Sequence, residues 1–77
     1  MKAYVYGYVR DLTDNWHDGG GAVVVTDGDP MADLAAHVNR DADGATTLTP
    51  EPEGEPVVFE TALTEPRVWI FPDAGCC

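Results

Sequence analysis

Groups able to do chemistry gather in two places. Asp14, His17 and Asp18 share the stretch Asp14-Asn15-Trp16-His17-Asp18-Gly19-Gly20-Gly21, and Cys76 and Cys77 stand side by side at the end of the chain. An imidazole, two carboxylates and two thiols are the donor types of a zinc site. Their spacing suits zinc less well: adjacent cysteines chelate poorly and there is no C-x-x-C pair. A shared site needs the tail to return to the loop, so strand 67–71 must end beside the end of strand 3–10. The two cysteines also suit a vicinal disulfide, a strained bond of the labile kind. A Cys-His-Asp triad is conceivable on paper. The chain contains no Ser, which excludes Ser-His-Asp. A domain of 77 residues leaves little room for a dry concave pocket. Asp41/Asp43 and Glu51/Glu53 are loop carboxylates with no apolar pocket to split their pKa values. The expectation is a protein that is not an enzyme and needs no cofactor, with zinc the alternative.

Gly19, Gly20 and Gly21 admit two readings. Glycine tolerates positive φ and close approach of another group, so they fit a wide hairpin loop plugged by Trp16. They also fit an anion nest with His17 as acid, base or ligand. The neighbouring carboxylates disfavour phosphate, and no nucleotide-binding fingerprint is present.

Composition narrows the field. Four Lys and Arg against fourteen Asp and Glu give a net charge of −10. Phosphate binding needs basic contacts, so direct binding of nucleic acid or an anionic membrane is disfavoured. A basic protein partner, cations or plain solubility fit the charge, as does mimicry of nucleic acid inside a basic groove. Nothing reads as a signal peptide or a membrane span, so the expected location is the cytoplasm. A single domain covering 1–77 follows, with an acidic Pro-rich loop at 49–56 and a tail at 72–77.

The positioning elements are legible from their periods. Residues 3–10 alternate, with Tyr4, Tyr6, Tyr8 and Arg10 on one face and Ala3, Val5, Gly7 and Val9 on the other, which predicts a strand. Gly7 within it would let another element come close. Residues 21–26 are almost continuously apolar, the mark of a central strand. Asp29 and Pro30 read as N-cap and first helical residue. Met31, Leu34, Ala35 and Val38 form one helical stripe, with His37 off it in solvent and Gly44 closing the helix. Residues 46–49 suit a short edge strand, 57–61 and 67–71 two further strands. The predicted class is α+β: a mostly antiparallel sheet of four or five strands with one helix on one face, in β-β-α-β-β order.

One helix covers one face. If it takes the small face of strand 3–10, then Tyr4, Tyr6 and Tyr8 line the other with Trp69 and Phe71, and with Trp16 from the loop they offer an interface for a protein partner or a second copy. The alternative puts the aromatics in the core under the helix.

The segments Tyr4-Val5-Tyr6-Gly7-Tyr8-Val9, Asp14-Asn15-Trp16-His17-Asp18-Gly19-Gly20-Gly21 and Phe71-Pro72-Asp73-Ala74-Gly75-Cys76-Cys77 together resemble small uncharacterised proteins of actinobacteriophages. The resemblance implies a context only: a phage-encoded accessory protein in a bacterial host. Three expectations follow: a non-enzymatic interaction module, a metal- or thiol-dependent module of His17, Asp14, Asp18, Cys76 and Cys77, and an acidic nucleic-acid mimic.

Overall fold

The computed structural model describes residues 1–12, 19–40 and 47–72. The strands are β1 (Lys2–Arg10), β2 (Gly20–Thr26), β3 (Glu51–Pro52), β4 (Val57–Glu60) and β5 (Arg67–Pro72), and the helix is α1 (Pro30–Asn39). All strand pairs are antiparallel. On one side β1 pairs β2, which in turn pairs β5; on its other side β1 pairs β4 near its start and β3 near its end. The α+β class is as the sequence predicts. The fifth strand is not where it was expected: residues 47–50 are irregular, and the added pairing lies at Glu51–Pro52, inside the expected linker.

That linker is sewn to β1 through its backbone, while Glu51, Pro52, Glu53, Gly54 and Glu55 stay exposed to solvent. Glu53 donates its amide to the Tyr8 carbonyl at 2.9 Å, and Thr49 donates its amide to Asp11 Oδ2 at 2.7 Å. Arg10 meets Glu51 at 3.5 Å and Glu53 at 3.6 Å. Asp11 itself holds φ 65, a left-handed conformation that Asp tolerates better than most residues. It turns the chain out of β1.

α1 begins as its sequence requires. Asp29 accepts the Met31 amide at 3.0 Å, satisfying one of the free donors of the first turn. Its end has a device that the pattern did not reveal. The Asn39 side chain donates to the carbonyls of Ala35 (2.9 Å) and Leu48 (2.8 Å) and accepts the Leu48 amide at 2.8 Å. Asn39 thus copies a strand pairing and clasps the returning chain. Gly44, the expected helix terminator, lies outside the described residues.

Among the described residues the main core cluster lies between the sheet and α1. Tyr6, Val9, Leu12, Ala22, Val24 and Leu34 are buried together, with Tyr4, Met31, Val38, Val68 and Ile70 packed against them. The helix therefore lies on the tyrosine face, not on the small face of Ala3 and Val5. The burden of filling the core explains the choice. A helix stripe of modest side chains leaves space that Tyr4 and Tyr6 fill and that Ala3 and Val5 could not.

The alternation of β1 also breaks. Tyr6 pairs Ala22 but Val9 pairs Gly20, so β1 carries one extra residue between them. Such a bulge reverses the facing of everything beyond it. Val9 joins Tyr6 in the core, and Tyr8 leaves the tyrosine row. Gly7 sits at this irregularity with open space where a side chain would be, so no element approaches it closely.

Candidate functional site

The face without the helix carries the candidate site. Strand register sets its rows: Val57, Val5, Val23 and Trp69 lie side by side, and Phe59, Ala3, Val25 and Arg67 form the next row. Phe71 stands beyond, opposite Gly21. Ala3 and Val25 are buried in the middle. Around them Val57, Phe59, Trp69 and Phe71 keep 65, 51, 38 and 58% of their surface exposed. These are β-formers in a pleated strand, and the alternation that places Val68 and Ile70 in the core sends Trp69 and Phe71 to water.

The predicted site residues separate. Tyr6 is 5% exposed and belongs to the core, and Tyr4 is packed against the same cluster. Neither is free to meet a partner as an interface reading of the tyrosine row requires. Burial pushes the Tyr6 phenol above its usual 10.0, with Tyr4 and Asp29 adding smaller contributions of the same sign. Tyr8 stays partly exposed and lies over Gly19: a side chain on Gly19 would run into the Tyr8 ring and hydroxyl. Gly19 thus serves close approach, not positive φ, whereas a Cβ on Gly21 would meet only ordinary contacts; among the described residues the one positive-φ glycine is Gly54. Trp69 and Phe71 stand where an interface needs them. Val57 and Phe59 join them, unrecognised from the sequence; their own alternation after Pro56 was the available signal.

Trp16, Asp14, His17, Asp18, Asp41, Asp43, Cys76 and Cys77 lie outside the described residues. What the fold shows is where their segments attach. Gly20 pairs with Val9 on one side and Pro72 on the other. The ends of β1 and β5, which run in the same direction, therefore flank the start of β2. Among the described residues no three His, Cys, Asp or Glu side chains gather as a metal site would require.

Among the described residues two hollows flank the sheet. A polar recess is lined by Arg10, Asp11, Thr49 and Glu51, where glutamates already answer the guanidinium. An open cleft of about 320 Å³ lies between α1 and β5, lined by Val25, Asp33, Ala36, His37, Pro66, Arg67 and Val68. His37 is thus half-buried along a cleft, not free in solvent as its place off the stripe suggested. Among the described residues, no helix is long and apolar enough to cross a membrane. Comparisons with protein families, curated proteins and solved structures found no match to this chain.

Proposed function

We propose that the protein is a non-enzymatic interaction module that docks a basic protein partner on the helix-free face of its sheet. One observation carries the reading: Val57, Phe59, Trp69 and Phe71 stand exposed together on that face. A soluble chain rarely leaves so apolar a patch in water unless it is an interaction site, and aromatic residues are enriched in interface cores. The net charge of −10 favours a basic partner, because the long-range field draws cations and repels acidic surfaces. A phage-encoded accessory protein acting on a host protein fits this chemistry.

The test places a photo-cross-linking amino acid at Phe59 or Phe71, and at exposed Ala32 on α1 as control. Discrete adducts are expected from the sheet positions alone. Excess unmodified protein should compete them away, and protein bearing Phe59→Ser and Phe71→Ser should not. Equal adducts from Ala32 would sink the reading.

A second reading keeps one supporting observation. Because Gly20 pairs with both Val9 and Pro72, β1, which precedes the segment of Asp14, His17 and Asp18, and β5, which precedes that of Cys76 and Cys77, reach the same end of the sheet on either side of β2. A zinc or thiol module would need the two segments to meet there, across β2. Native mass spectrometry of protein purified without reductant or metal distinguishes the outcomes. Bound zinc, or the loss of two hydrogens, would favour this reading. A bare, reduced chain whose melting temperature ignores chelator would discard it.

A further inference from the structure

The two edges of the sheet are built differently. The β3/β4 edge carries Glu51, Glu53, Glu55 and Glu60 with Pro52 and Pro56. Charges and prolines on an edge are what keep strands from pairing with other chains. The β5 edge, Arg67-Val68-Trp69-Ile70-Phe71-Pro72, carries no carboxylate in a chain of net charge −10. Among the described residues no strand pairs its outer side.

The hydrogen-bond phase shows which groups that edge offers. Thr61 donates its amide to the Met1 carbonyl, so the odd residues at the start of β1 face β4 and the even ones face β2. Carried across the register, Arg67, Trp69 and Phe71 bond to β2, and the amides and carbonyls of Val68 and Ile70 point outward. Pro66 and Pro72 bracket these two residues and have no amide to offer.

We infer that the β5 edge pairs antiparallel with the β5 edge of a second copy, joining the two sheets into one. The twofold register that sets Val68 against Ile70 of the copy gives both outward residues reciprocal hydrogen bonds. It sets Pro66 against Pro72, where no donor is missed. Trp69 then faces its own counterpart, and Arg67 lies beside Phe71 of the copy, a cation beside an aromatic ring. On the helix side, Ile70 of the copy comes next to Val68, at the mouth of the cleft lined by Ala36, His37 and Pro66. Apolar contact is thus available on both faces of the junction. No carboxylate meets another along the paired strands. The inference rests on the reading of the helix-free face as a binding surface, which the pairing makes continuous across both copies.

Sedimentation of the wild-type chain across micromolar to millimolar concentration reads the assembly. A monomer–dimer equilibrium is expected, and added salt should strengthen it, since screening weakens the repulsion between two acidic bodies. Hydrogen exchange locates it without mutation: the amides of Val68 and Ile70 should slow severalfold with rising concentration. In a chain with Cys76→Ser and Cys77→Ser, Trp69→Cys should form an intermolecular disulfide under oxidation, and Phe59→Cys should not. A monomer at every concentration, or a dimer in which Val68 and Ile70 exchange unchanged, overturns the inference. So does cross-linking from Phe59→Cys alone, which marks face-to-face packing instead. A dimer whose Phe59 position captures no partner removes the partner reading and leaves the edge pairing standing. Specific adducts from a strict monomer do the reverse.

Discussion

Tyr6 ties the core to alkaline pH. Its folded-state pKa is raised, chiefly by burial, so the fold holds the neutral phenol more firmly than the unfolded chain does. The contribution is complete below the unfolded value of 10.0 and is lost as pH rises through the folded value. Tyr6→Phe should flatten that alkaline loss in thermal melts run from neutral to strongly alkaline pH; an unchanged profile would acquit Tyr6. Gly19 supplies a second residue-scale prediction. Gly19→Ala should cost about 1–3 kcal/mol by forcing the Tyr8 ring off its seat. Tyr8→Ala in the same chain should recover most of that loss in urea unfolding, because it removes the obstacle. Additive costs would show that the glycine serves the backbone instead.

At the scale of elements, β1 shows what sequence pattern reads well and where it stops. The periods of β1, β2 and β5 and the Asp29-Pro30 start of α1 are local facts, and they were legible. The facing of Tyr8 was not, because one extra residue between Tyr6 and Val9 reverses the alternation. A bulge depends on what the neighbouring strand does, and no period within β1 records it. The side chosen by the helix was illegible for a similar reason: it follows from the volume the whole core must fill. The Asn39 clasp joins residues nine positions apart in the chain, beyond the reach of a capping rule. The exposed face was half legible, with Trp69 and Phe71 named and Val57 and Phe59 passed over. The bulge is testable. Gly7→Ala should be nearly neutral, since open space surrounds the position. Deleting Gly7 should keep fully buried Val9 opposite Gly20 on the core face, since Val9 then follows Tyr6 by two residues, as in a regular strand. The deletion should therefore not carry the loss of about 1.5–3 kcal/mol that turning the valine outward would bring. A loss of that size in urea unfolding of the deletion variant would mean that the extra residue is not what sets the facing beyond it.

For the whole molecule, charge and size act together. A 77-residue domain stands on a thin margin, and a net charge of −10 erodes it by self-repulsion. Its melting temperature should rise as monovalent salt is added, even where the protein is dilute. A flat or falling response in calorimetry would show that ion pairs such as Arg10 with Glu51 outweigh the repulsion. The unequal edges bear on stoichiometry. Fibre growth needs a divalent unit, with one joining site at each end. Glutamates and prolines make the β3/β4 edge a chain terminator, so each copy has a valence of one. If the β5 edges pair as inferred, assembly by strand addition stops at two and closes.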